Sequence, residues 1–203
     1  MNRELACLKA LFNRHKYLVN PVREVKYLNE ESDQLTVLTA DEQEKYLLAA
    51  SQPLRDIATL MLETGMRPEE VYRIRKENVY SDRQYLYNPY GKTKAAKRKV
   101  PLSEEAIEVL RNRLAKAEGH YLFVGRKNRK GKTDKPLLKV NNAHYSALER
   151  SKVRDFRLYD LRRTWASRMA MAGVNLVTLV AHLGHSKLAM VTRYAHPTEA
   201  HQF

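Results

Sequence analysis

Residues 158–197 read LYDLRRTWASRMAMAGVNLVTLVAHLGHSKLAMVTRYAHP, and the punctuation of this stretch decides how the chain is read. Two helical segments, at about 158–172 and 175–183, are stopped by Gly173 and Gly184. Glycine is the residue that most readily takes the left-handed conformation at a helix end. His185 follows the second stop, and a last short helix around 187–194 holds Tyr194 beside Arg193. A phenol in that position is either a packed aromatic next to a solvated charge or a nucleophile. The rest of the chain has to decide between them.

Working outward, Thr39 caps a helix that begins ADEQEKYLLAA, whose acidic first turn suits the positive end of the helix dipole. Pro53 opens PLRDIATLMLET, which Gly65 stops. Pro68 sits at a first helical position followed by Glu69 and Glu70, so Arg67 falls just ahead of a helix start. The segment QYLYNPYGKTKAAKRKVPL alternates around a turn-rich centre and predicts a small hairpin or meander with a basic loop. Ser103 caps EEAIEVLRNRLAKA, and residues 125–135, GRKNRKGKTDK, form a basic loop. A further helical stretch at about 138–150 precedes the two already named. At the N-terminus, Leu5, Leu8, Leu11, Phe12 and Leu18 recur at helical spacing over residues 2–19, Pro21 ends the pattern, and LNEESDQ at 28–34 reads as a linker. The expected class is α+β, mostly helical with one small antiparallel sheet.

Composition narrows the function classes. The 203 residues carry 37 Lys plus Arg against 23 Asp plus Glu, a formal charge of +14. Such an excess favours an anionic partner, nucleic acid first and an acidic membrane surface second. No run approaches the ~18 apolar residues of a membrane span, and the N-terminus lacks the apolar core of a secretory signal. The single cysteine, Cys7, can form no internal disulfide, which points to the reducing cytoplasm.

Three motifs fail on spacing or company. GRKNRKGKT resembles a phosphate-binding loop, but Gly125 and Gly131 stand one residue too far apart. His182, His185 and His196 cluster without cysteines or a His-Glu-x-x-His pattern, so no metal site is expected. MAGVNLVTLVAHLGHS could mimic a helix-turn-helix, which explains the charge but leaves Arg67, Lys92 and Tyr194 as incidental surface residues.

Taken singly, Arg67 is a helix-start charge, Lys92 a loop cation, His185 a cap residue and Tyr194 a packed aromatic. Taken in order, TGMRPEEV (Arg67, Glu70), GKTKAAKRKVPL (Lys92), LYDLRRTWASRM (Tyr159, Arg162), LGHS (His185) and VTRYAHP (Tyr194) resemble the tyrosine recombinases, the phage-integrase family. The resemblance covers about residues 36–203 as that family's catalytic domain. Residues 1–28 resemble the last helix of its core-binding domain and 29–35 the linker, so the chain reads as a fragment.

The resemblance implies DNA cutting and rejoining through a 3′-phosphotyrosine link, with no metal or nucleotide cofactor. Arg67 and Arg162 would clamp the non-bridging phosphate oxygens, a task that suits planar paired donors. Backbone amides at the helix start beside Arg67 would add positive potential. Tyr194 would be the nucleophile, His185 would bond the phosphate, and Lys92, with Lys94 as substitute in the same turn, would protonate the leaving 5′-oxygen. Glu70 would orient Arg67 or another of these residues.

The family places histidine where this chain has Tyr159 and often where it has Arg163. A tyrosine donates and accepts hydrogen bonds but is no base near neutral pH, so Tyr159 would support the phosphate by a hydrogen bond. Lys94, Lys97, Arg98, Arg126, Lys127, Arg129 and Lys130 are candidate DNA-backbone contacts.

The implied partners are double-stranded attachment sites of a prophage or other mobile element and other copies of the chain. The copies would form a homotetramer on DNA and be monomers when free, with no membrane involved. Two other classes stay open: a type IB topoisomerase using the same residues without site choice, and a DNA-binding relative that lost the chemistry.

Overall fold

The computed structural model describes residues 2–15, 19–28, 36–91, 93–125 and 135–194, without the side chains of Lys94 and Arg193. The chain divides into two units, residues 1–34 and 35–203. In the first, helix α1 (Asn2–Arg14) is followed by a return segment along its side. The Asn2 amide donates to the Leu28 carbonyl at 2.9 Å and accepts from the Leu28 N–H at 2.8 Å, and Lys9 donates to the Val25 carbonyl at 2.7 Å. The helix is shorter than its apolar spacing predicts, and it buries no side chain among the described residues. The expected linker at 29–35 lies outside the described residues.

The second unit holds seven helices among its described residues. These are α2 (Ala40–Ala49), α3 (Leu54–Thr64), α4 (Pro68–Tyr72), α5 (Glu104–Lys116), α6 (Asn141–Ser151), α7 (Asp160–Met171) and α8 (Leu176–Leu183). A three-stranded antiparallel sheet, ordered β1 (Val79–Tyr80), β2 (Tyr85–Asn88) and β3 (Arg98–Pro101), sits between α4 and α5 in the chain. Where the sequence suggests one last helix, two short 3-10 turns occur, Leu188–Met190 and Thr192–Tyr194.

The caps read from sequence form as the chemistry requires. Thr39 accepts from the Glu42 N–H while Glu42 accepts from the Thr39 N–H, a reciprocal cap worth about 1 kcal/mol. The Ser103 hydroxyl accepts from the Ala106 N–H. Gly65 closes α3 at φ 63°, and a Cβ there would meet the Trp165 ring at 2.3 Å. Glycine is thus required twice over, by conformation and by the closeness of α7.

The main core gathers Leu54, Ile57 and Met61 of α3 with Leu86, Val100, Leu110 and Leu161. A second cluster joins Trp165, Ala166, Leu179, Leu183, Val191 and Tyr194. The Trp165 indole donates to the Glu63 carbonyl at 3.1 Å, tying α7 to the end of α3.

Buried His144 links α2, α6 and the chain ahead of α7. Its Nε2 lies 2.9 Å from the Phe156 carbonyl, so it carries the proton and donates. Its Nδ1 then accepts from the Tyr46 hydroxyl at 2.7 Å. Burial pushes the imidazole below its usual 6.5. With the folded pKa below the unfolded one, the stabilisation is complete above pH 6.5 and declines as pH falls towards the folded value. We expect His144→Ala to cost roughly 2–4 kcal/mol in denaturant unfolding, because the Tyr46 hydroxyl and Phe156 carbonyl lose their partner. Part of the wild-type loss of stability between pH 7 and pH 5.5 should disappear in that variant.

Candidate active site

Arg67 is the N-cap of α4, a five-residue helix with Pro68 at its first position. The Glu70 carboxylate accepts from the Arg67 backbone N–H at 3.0 Å and from its Nη1 at 3.0 Å. The Arg67 N–H, just ahead of the helix, is therefore bound to the chain's own carboxylate. Glu70, 7% exposed, also accepts both Nη groups of Arg98, at 3.1 and 3.0 Å, and its Oε2 lies 3.9 Å from Arg162 Nη1. Burial alone would raise the Glu70 pKa. The Arg98 hydrogen bonds and charge, the Arg67 amide and the Arg162 charge outweigh it and hold the carboxyl below its usual 4.5.

The three guanidiniums meet at the C-terminal end of α8. Arg162 is fully buried and donates to the Leu183 carbonyl and to the Gly65 carbonyl, both at 2.7 Å. Arg67 Nη1 lies 3.4 Å from the same Leu183 oxygen, and Arg98 Nε donates to the His182 carbonyl. The last carbonyls of a helix lack intrahelical donors and carry the negative end of its dipole, so cations settle there. Burial pushes Arg162 down to about 10, opposed by Tyr159 and Glu70, and it stays charged at neutral pH. Its Nε–H is buried with no hydrogen-bond partner among the described residues.

Gly184 ends α8 at φ 64°, turning the chain so that buried His185 accepts from Arg162 Nη2 at 3.2 Å through Nε2. A cleft of about 400 Å³ opens over this cluster, lined by Arg67, Glu70, Arg73, Tyr90, His185 and Ser186 among others. A larger apolar groove of about 650 Å³ lies elsewhere, beside Leu47, Leu48 and Met171. Its two arginines, Arg55 and Arg168, are already bonded to backbone carbonyls.

Arg67, Glu70, Arg162 and His185 are thus brought together. Tyr159 stands beside them at the N-cap of α7, its ring 6.0 Å from the Arg162 guanidinium carbon and 5.9 Å from that of Arg163. Tyr194 is 4% exposed within the Trp165 cluster and does not line the cleft. Lys97 is exposed in the hairpin loop. Lys92, Arg126, Lys127, Arg129 and Lys130 lie outside the described residues, and of Lys94 only the backbone, in a 3-10 turn, is described.

Arg98 differs from the expectation of a DNA-backbone contact. It is buried, and its donors are bound to Glu70, His182 and Ala96. Strand alternation carries the signal, because Arg98 and Val100 share the inward face of β3 while Lys99 points out. Among the described residues no group of three or more His, Cys, Asp or Glu is placed to hold a metal, and no helix is long and apolar enough to cross a membrane.

Residues 34–201 match the model of the phage integrase family. The chain belongs to that family. It is 25% identical to the integrase of Salmonella phage P22 over 209 residues, covering 97% of this chain and 54% of that protein. It is 29% identical to the integrase of Escherichia phage P2 over 206 residues, with 97% and 55% covered. The chain therefore spans about half the length of these relatives. Its fold matches the Tn1549 transposon integrase solved with circular intermediate DNA, at TM-score 0.77 and 19% identity, over 99% of this chain and 76% of that one. It also matches a lambda integrase dimer bound to a core site, at TM-score 0.73 and 20% identity, over 95% and 71%.

A Cβ on Gly184 would lie 2.9 Å from Arg98 Nη1 and 3.0 Å from the Ala95 carbonyl. At Gly173, φ 81°, a Cβ would meet nothing within 4 Å. Both alanine substitutions carry left-handed strain of about 1–3 kcal/mol. We expect Gly184→Ala to exceed Gly173→Ala by at least about 1 kcal/mol in denaturant unfolding, the excess being displacement of Arg98.

Proposed function

We propose that this chain is the DNA-cleaving and rejoining part of a tyrosine site-specific recombinase, serving integration or excision of a prophage or other mobile element. The observation that carries this reading is the clustering of Arg67, Arg162 and His185 at the end of α8, where Arg67 and His185 line the cleft and Arg162 lies buried behind them. Family membership supports it, as do relatives named integrases and a shufflon-specific DNA recombinase of Escherichia coli.

A phosphodiester enters the cleft and its non-bridging oxygens meet Arg67, and Arg162, buried behind it, has to be uncovered to complete the clamp. His185 turns its ring to the phosphate. Charge develops on those oxygens as the nucleophile adds, and prepositioned cations stabilise it without reorganising. The Tyr194 oxygen forms the new bond to phosphorus, the bond to the 5′-oxygen breaks, and Lys92, or Lys94, supplies a proton to that oxygen. Rejoining reverses these steps, so neither nucleotide nor metal is consumed. Because Tyr194 is buried, the Thr192–Tyr194 turn has to move for its hydroxyl to reach the phosphate.

The partners are double-stranded attachment sites and further copies of the protein, monomeric when free and tetrameric on paired sites, in the bacterial cytoplasm at the nucleoid. Residues 1–28 are the end of a core-binding domain and 29–35 the linker to the catalytic domain. The burial of Tyr194 favours one second reading, a relative that binds DNA without cutting it.

Trapping on a library of nicked duplexes separates the two. Wild type should form a covalent adduct and Tyr194→Phe none. Equal failure of both proteins would favour the non-cutting reading. Arg67→Ala and Arg162→Ala should lower adduct formation by roughly 10²–10³-fold with much smaller losses in DNA affinity. Affinity itself should fall steeply between 50 and 200 mM salt, as expected for phosphate contacts.

A further inference from the structure

Arg73 closes α4 as Arg67 opens it, and both side chains line the same cleft. Their surroundings differ. Arg67 is paired with Glu70 at 3.0 Å, whereas Arg73 is exposed and forms no ion pair among the described residues. Its described contact is the Tyr90 ring, whose centroid lies 5.8 Å from the guanidinium carbon. Glu69 lines the cleft as well, and no ion pair joins it to Arg73.

Tyr90 is a braced platform. Its N–H donates to Asn88 Oδ1 at 3.3 Å, its carbonyl accepts from Asn88 Nδ2 at 3.1 Å, and Asn88 is itself buried. Behind it, Arg75 donates to the Tyr121 hydroxyl at 3.0 Å and is met by Glu77 at 3.4 Å. Of the two arginines that follow α4, Arg75 has a carboxylate partner and Arg73 has none among the described residues. An exposed arginine is ordinarily a solvated charge. One held on an aromatic face inside a cleft, without a counter-charge, is prepared for an anion.

We propose that Arg73, seated on Tyr90, binds the phosphodiester next to the one received by Arg67, Arg162 and His185. The inference rests on the reading of the cleft as a DNA phosphate site and adds a second phosphate to it. The five residues of α4 rise about 7.5 Å, and the charges of one strand recur every ~3.4 Å of duplex axis. The two ends of α4 therefore span more than one phosphate.

Short oligonucleotides test this without knowledge of the recombination site. TpT carries one phosphodiester and TpTpT two, and each is titrated at low salt into ¹⁵N-labelled protein. TpT should shift signals of Arg67 and His185. TpTpT should also shift Arg73 and Tyr90 and bind about tenfold tighter, beyond the twofold that two equivalent phosphates give statistically. Arg73→Ala should reduce that gain to about twofold. The proposal is overturned if Arg67 and His185 shift while Arg73 does not, or if Arg73→Ala keeps the full gain. Failure of either oligonucleotide to shift Arg67 and His185 would instead overturn the phosphate reading of the cleft, and this inference with it.

Discussion

One buried carboxylate organises the cleft. Glu70 faces Arg67 and Arg98 at hydrogen-bond distance and Arg162 at 3.9 Å, all within one small volume. A buried charge is tolerated only when paired and hydrogen-bonded, and here a single negative group serves several positive ones. Backbone dipoles add to the balance, since the carbonyls of Gly65, His182 and Leu183 accept further guanidinium donors. That solution depends on α3 and α8 ending in left-handed glycines, which turn the chain away and leave those carbonyls accessible. The cluster stays net positive.

The same construction couples the cleft to Tyr194. The Leu183 carbonyl holds Arg162 and Arg67, while the Leu183 side chain packs in the cluster that contains Tyr194. Trp165 lies in that cluster too and bonds to the end of α3. The end of α8 thus supports the arginines on one side and the tyrosine on the other. The Thr192–Tyr194 turn therefore packs on residues whose backbone also holds Arg162 and Arg67.

Much of this was legible in the chain. Thr39, Ser103, Gly65 and Gly184 mark element ends because caps are local chemistry, set by a few neighbouring residues. Arg67 ahead of Pro68 was legible for the same reason. What the spacing does not carry is which distant group each guanidinium finds. Arg98 meets His182 across 84 positions and Arg162 meets Gly65 across 97. Reading Arg98 as a surface cation followed its basic neighbours and passed over strand alternation, which puts it with Val100 inside. That Tyr194 is packed, one of the two readings the sequence leaves open, depends on packing between α7 and α8.

Glu70 and Arg98 act as one buried unit on which the arginine cluster is built. A double-mutant cycle measures it directly, by denaturant unfolding of wild type, Glu70→Gln, Arg98→Met and the double variant. Each single change should cost roughly 3–5 kcal/mol, because a buried charge is left without its partner. The double variant should cost less than the sum by at least about 2 kcal/mol. Additive losses would show two independent residues and contradict it.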